Sequence, residues 1–262
     1  MSLLEYLGRN PGCERLAEGA VHAVAPLLED PDPDPLLAQL DQWAYHLAGR
    51  MPLPWNLHQA IDEINQFLFE ELGLRGDRQT YDAPENAALP LVLQRRKGMP
   101  ITLSILWIDL SRRLGLDAVG IALPGHFLSA IRTDIALLCF DPFHGGRAIG
   151  EEGAAELVER ATRGRATFTP ELLRPADDRA VLVRLVRNLQ VRYERQSDWA
   201  NALWTSTHLI LLAPEDPDHH KTRARIHLHR SDPAAALQDL QQARALVQAP
   251  DPELDAWIAQ LG

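Results

Sequence analysis

Two cysteines in 262 residues, Cys13 and Cys139, are too few for a disulfide framework or a four-thiolate zinc site. Positive charge is also short. Lys and Arg total 26 against 36 Asp and Glu, a formal charge of −10. Nucleic-acid phosphates and anionic lipid surfaces both call for a basic face, so neither nucleic acid nor membrane is an expected partner. No run approaches the roughly 18 uninterrupted apolar residues of a membrane span. The opening MSLLEYLGRNPGCERL lacks a basic segment followed by an apolar one. A cytoplasmic location is therefore the expectation. Aromatic residues make up only 6%, and Trp43, Trp55, Trp107, Trp199, Trp204 and Trp257 are scattered as packing anchors rather than gathered into a base-stacking platform. What is present, 46% apolar and 24% charged residues, describes a globular protein of one large domain or two modest ones.

Periodicity divides the chain. Residues 1–28 read as helical, with Leu16, Ala20, Val21 and Val24 at helical spacing, until EDPDPDP (29–35) interrupts them. Asp34 is placed to cap a following helix that carries Leu36, Leu40, Trp43 and Leu47 inward, with Pro35 at its first position. WNLHQAIDEINQFLFEELG (55–73) is strongly amphipathic and ends at Gly73, where a C-cap belongs. GMPITLSILWIDLSRRL (98–114) is apolar nearly all round for three turns, which predicts a helix enclosed on several sides; Ser111, Arg112 and Arg113 mark its wet end. Short β-like runs follow at 117–123, 126–132 and 135–143, giving an α+β first domain with helices before the sheet.

Beyond residue 178 the pattern is wholly helical. RYERQSDWANALW (192–204) matches IHLHRSDPAAALQ (226–238) at a 34-residue offset, the tetratricopeptide period, with Ala202 and Ala236 where such helix pairs pack closely. Two such units seldom fold alone, so they are expected to dock on the first domain. The expected organisation is 1–165 for the α+β domain, 166–178 for a connector and 179–262 for the repeats.

The chemistry concentrates in LPGHFLSAIRTDIALLCFDPFHGG (123–146). With Thr133-Asp134 as a two-residue hairpin connection, Arg132 faces Ile135 and, further along, His126 faces Asp141. A carboxylate that accepts one imidazole N–H fixes the tautomer and leaves the other nitrogen as a general base. The same pair also serves as a plain structural brace between strands. On alternation, Phe127, Ser129 and Ile131 face one way and Leu128, Ala130 and Arg132 the other, which predicts strands half buried at best. His126, Asp141 and His144 offer metal-ligand types, but their spacing fits no strong metal pattern, so no metal or cofactor is expected. Cys139 is expected to act as a small buried hydrophobe. In HHKTRARIHLHR (219–230), His220, Arg223 and His227 share a face that reads as a solvated surface or a small anion- or partner-binding patch. Arg95-Arg96-Lys97 either steers an acidic ligand toward His126 or decorates a loop.

ENAALPLVLQRRKGMPITLSILWIDLSRRLGL (85–116), then ALPGHFLSA and CFDPFHGG, then RLVRNLQVRYERQSDWANAL (184–203), together resemble the SirB-type transglutaminase-like family of bacteria, from about residue 36 to the end. The resemblance implies a papain/transglutaminase-like core, a central buried helix on a small antiparallel sheet, followed by tetratricopeptide-like helices. Active members of that broader superfamily carry a nucleophilic cysteine at the start of the helix, a histidine on one strand and an acid on the next. His126 and Asp141 match the last two. The nucleophile region, Pro100 to Ser104, holds no cysteine and offers only Thr102 and Ser104. A helix N-terminus and an imidazolium ionise a thiol readily, whereas a hydroxyl must lose its proton to an aligned base during attack. Thr102 also has an N-capping role open to it. Two readings follow. One is a non-catalytic, regulatory protein that binds a peptide or protein partner. The other is an acyl-transfer or amide-hydrolysing enzyme with Thr102 or Ser104 as nucleophile, His126 as base and Asp141 as orienter.

Overall fold

The computed structural model of the chain describes residues 1–51 and 53–262. Two short helices open it, α1 (Leu3–Arg9) and α2 (Leu16–Ala23). The single helical stretch expected over 1–28 is divided, because Pro11 removes an amide and Cys13 takes a left-handed φ of 61°. In α3 (Asp34–Arg50), Pro33 is the cap and Asp34 lies inside the first turn, where its charge meets the positive helix end. α4 (Leu57–Asn65) starts on a capping box: Gln59 N donates to Asn56 Oδ1 and Asn56 N to Gln59 Oε1, both at 3.0 Å. It runs on as a wider π-type turn over Gln66–Glu71, and Gly73 follows at φ 67°, the left-handed residue expected there.

Strand β1 (Arg75–Gly76), helix α5 (Leu89–Arg95) and strand β2 (Lys97–Gly98) lead into α6 (Pro100–Arg113), and β1 pairs with β2 in parallel. Every residue of α6 from Pro100 to Ser111 is buried, as its all-round apolar pattern predicts. Its far end does not simply reach water. The Arg112 guanidinium donates to both oxygens of Asp178, at 2.5 and 2.8 Å, and ties α6 to α8 (Asp178–Arg195).

Five antiparallel strands carry the site: β3 (Ala118–Ile121), β4 (Leu128–Arg132), β5 (Leu137–Asp141), β6 (Arg147–Ile149) and β7 (Pro175–Ala176), in the order β6-β5-β4-β3-β7. β7 falls within the stretch expected as a connector, and its two residues pair with β3 at the edge of the sheet. The strands are more buried than alternation implied. Ala118, Ile131 and Phe140 pack toward α6, while Val119, Leu128, Ala130 and Cys139 pack toward α7 (Glu151–Thr162). A helix on each face removes the solvent side, so the period-two pattern separates two cores rather than core from water.

The remaining helices are α9 (Trp199–Leu212), α10 (Pro217–His229), α11 (Pro233–Leu246) and α12 (Pro252–Leu261). Asp198 and Asp232, 34 residues apart, each cap the next helix by accepting from a backbone amide, that of Asn201 at 3.1 Å and of Ala235 at 3.0 Å. This is the physical content of the repeated Ser-Asp. The first repeat docks on the core through shared packing of Leu185, Leu189 and Leu209 with the N-terminal helices, and His208 Nδ1 lies 2.9 Å from the carbonyl of Ala23.

Candidate functional site

Leu123-Pro124-Gly125-His126 forms a tight turn closed by His126 N donating to the Leu123 carbonyl at 3.2 Å. Proline at its second position and Gly125 at φ 73° suit a type II turn, and a Cβ on Gly125 would lie 2.7 Å from that of Ala161. The turn delivers His126 just ahead of β4. Asp141 ends β5 and caps the single turn Pro142–His144 by accepting from Phe143 N at 3.1 Å. His126 Nε2 lies 3.1 Å from Asp141 Oδ1, and His144 Nδ1 lies 2.6 Å from Asp141 Oδ2. The carboxylate is fully buried between two imidazoles. Burial alone would raise its pKa, but the hydrogen bonds and charge of His126 and His144 outweigh that and hold it below the ordinary value. With Nε2 committed to Asp141, the His126 Nδ1 is the nitrogen left for a ligand or proton.

The register differs from the expected one by two residues. The hairpin loop is Thr133–Ala136, closed by Thr133 N donating to the Ala136 carbonyl at 2.9 Å, and Ser129 pairs with Phe140 and Ala130 with Cys139. His126 and Asp141 therefore meet diagonally rather than face to face. A two-residue slip preserves which side each residue points to, so contact survives.

The start of α6 forms the wall beside His126, through Met99, Pro100 and Ile101. None of the three carries a nucleophile. Thr102 Oγ1 instead donates to the Asn86 carbonyl at 2.8 Å and accepts from Met99 N at 3.1 Å, holding the loop before the helix. Ser104 is fully buried within α6, and its hydroxyl has no hydrogen-bond partner among the described residues. Neither hydroxyl residue lines the cleft.

That cleft, of about 410 Å³, lies between the α6 start, His126, the Tyr81-Asp82 loop and α8. Its α8 wall was not anticipated from the sequence: Arg184, Arg187, Arg192 and Arg195 all line it. The signal was available in RLVRNLQVRYER, where Arg184 and Arg187, and eight residues on Arg192 and Arg195, form two i,i+3 pairs on one helix face.

Other candidate features resolve into structure. Arg95 turns away from His126, donating to Asn86 Oδ1 at 3.0 Å and approaching Asp77 at 3.4 Å. His220, Arg223 and His227 converge on Asp239 of α11, with Arg223 Nη2 and Nε at 2.6 and 2.8 Å, His220 Nδ1 at 3.0 Å and His227 Nε2 at 3.7 Å. Asp239 is buried and answers their charge, so the cluster clamps α10 to α11. The Cys139 thiol is buried and pushed up to about 11 by burial. His126, Asp141 and His144 each offer a ligand atom within 4.8 Å of the others, so these are the residues that could hold a divalent ion, with both carboxylate oxygens already engaged by the imidazoles.

Comparison with known proteins agrees with this architecture. The transglutaminase-like superfamily profile matches residues 34–187 and a tetratricopeptide repeat profile matches 189–260. A UPF0162 protein of Xylella fastidiosa is 35% identical over 194 residues, covering 72% of this chain and 67% of that protein. A UPF0162 protein of Pseudomonas aeruginosa is 29% identical over 254 residues, 96% of this chain and 91% of its own length. Human F-box only protein 21 is 36% identical over 70 residues, 27% of this chain and 11% of that protein. No solved structure matches. A buried central helix on an antiparallel sheet, a histidine–aspartate pair beside the helix start and a repeat tail, matched over these lengths, place the chain in the transglutaminase-like superfamily, within the UPF0162 (SirB-type) family of bacteria.

Proposed function

We propose that this chain is a pseudoenzyme: a cytoplasmic, regulatory protein that binds a peptide or protein partner in the His126 cleft and on its repeats. The observation that carries the reading is the cleft wall at the α6 N-terminus, where Met99, Pro100 and Ile101 stand beside His126 and the Thr102 hydroxyl is spent on the backbone of Asn86 and Met99. A hydroxyl nucleophile needs a base aligned on it, and the hydroxyls of this helix turn elsewhere. Proline at the first helical position suits helix initiation and supplies no attacking atom. The tetratricopeptide units support a binding role, because stacked helix pairs present extended surfaces to other chains.

The competing reading, an acyltransferase or amide hydrolase, draws on the His126–Asp141 pair and on the unpartnered Ser104 hydroxyl. The test is a panel of amide and ester substrates offered to wild type and to His126→Ala. The binding reading expects no turnover that depends on His126. Turnover abolished by His126→Ala, and by Ser104→Ala, would establish the enzyme instead.

A further inference from the structure

Arg192 is buried with its charge largely unanswered. Its side chain is 6% exposed, yet Nε and Nη1 have no hydrogen-bond partner among the described residues. Nη2 reaches only the Tyr81 carbonyl at 3.5 Å and the exposed carboxylate of Asp82 at 3.8 Å. A guanidinium has five N–H donors, and leaving them dry without acceptors is costly. Burial accordingly pulls the Arg192 pKa down. About two turns away, Arg184 spends one donor on the Leu123 carbonyl at 3.2 Å, and burial and the charge of Arg187 lower its pKa as well. Asp82 is the one carboxylate among the described residues lining the cleft, against four arginines. In a chain of net charge −10, this is a local reversal of sign. The N-terminus of α6 points its positive end into the same space. Beside the arginines, Pro100, Ile101 and Val191 form an apolar strip that a bare inorganic anion could not use.

We propose that the α8 side of the cleft receives the carboxylate of an acidic peptide segment, gripped by Arg192 and Arg184 with Arg187 and Arg195 at the rim, while a neighbouring apolar side chain of the peptide lies on Pro100, Ile101 and Val191. This rests on the reading of the cleft as a peptide-binding site. Planar carboxylates match the guanidinium fork, and an acceptor that enters with the ligand answers the donors the fold leaves open.

The experiment is fluorescence anisotropy on the full chain with a labelled octapeptide of alternating Glu and Leu, its Gln-for-Glu counterpart, and inorganic phosphate as competitor. The Glu peptide binds about tenfold more tightly than the Gln peptide. Arg187→Gln and Arg195→Gln, at exposed positions that leave the fold intact, each weaken it about threefold. Arg192→Gln weakens it about tenfold, and Arg192→Lys, which keeps charge but loses the fork, falls between. Thermal melting read alongside separates lost binding from lost fold; if Arg192→Gln does not fold, the two rim variants decide. Equal affinity for both peptides, no binding of the Glu peptide, or phosphate alone binding as tightly as the peptide would each overturn the inference. Equal binding of both peptides leaves the pseudoenzyme reading standing. Cleavage of the Glu peptide that depends on His126 removes that reading and leaves the arginine grip in place.

Discussion

Replacing Asp141 with asparagine changes one atom in a fully buried group and so isolates its charge. The carboxylate accepts from Phe143 N at 3.1 Å and contacts His126 and His144 at 3.1 and 2.6 Å. A hydrogen bond to a charged group contributes roughly 1.5–3 kcal/mol and a neutral one roughly 0.5–1.5, so neutralising two imidazole contacts costs about 2–3 kcal/mol. The new amide NH2 must also face one imidazole, which forces that ring to present a lone pair. At a urea slope near 3 kcal/mol/M, the midpoint of Asp141→Asn falls by roughly 1 M at pH 7. Acid narrows the difference. The folded carboxyl sits below its ordinary value, so its stabilisation is complete above the unfolded pKa near ~3.9 and is lost as pH falls through the folded value. Urea titrations followed by tryptophan fluorescence at neutral pH and in acid test both halves, since Trp107 stacks on Phe140 one residue away at 5.3 Å. Equal midpoints at pH 7, or a gap that widens in acid, would refute the account.

Asp239→Ala leaves Arg223, His220 and His227 without their shared acceptor and lowers stability by about 2–3 kcal/mol, visible as earlier melting of the repeat helices by circular dichroism. Gly146 sits at φ 74°, and a Cβ there would lie 2.0 Å from Asn65 Oδ1, the atom that accepts from Trp107 Nε1 at 2.9 Å. Gly146→Ala therefore costs about 2 kcal/mol and shifts tryptophan emission; a variant with unchanged emission and stability would contradict this. Thr102→Ala costs about 1–2 kcal/mol while Thr102→Ser stays near wild type, because the hydroxyl works as a backbone brace. Both thiols are buried and raised by burial, so a thiol reagent reacts with neither Cys13 nor Cys139 until urea unfolds the chain.

The parts legible in the sequence were those in which a local pattern and the tertiary outcome share one cause. α6 is apolar all round because it is enclosed all round, and Gly73 follows its helix because the chain turns left-handed there. The Asp caps of the repeats recur at 34 residues because each starts a helix of equivalent position. Three features needed coordinates. Hairpin register depended on whether Ile135 and Ala136 belonged to the loop, and both alternatives keep the same side-chain parity. The histidines and Arg223 of α10 were visible as a cationic face, but Asp239, which answers them, lies on the next helix. The stripe of arginines on α8 had the spacing of a single face, yet nothing local said that this face closes a cleft in another part of the fold.

α8 is at once part of the core and the first helix of the repeat tail. It holds Arg112 through Asp178 at one end and lines the cleft with Arg192 at the other, while α9 rests along it. The two family profiles meet at residues 187–189, in the middle of this rod. Severing the chain there would give two fragments that each lack half of a common wall, so neither is a faithful stand-in for the whole.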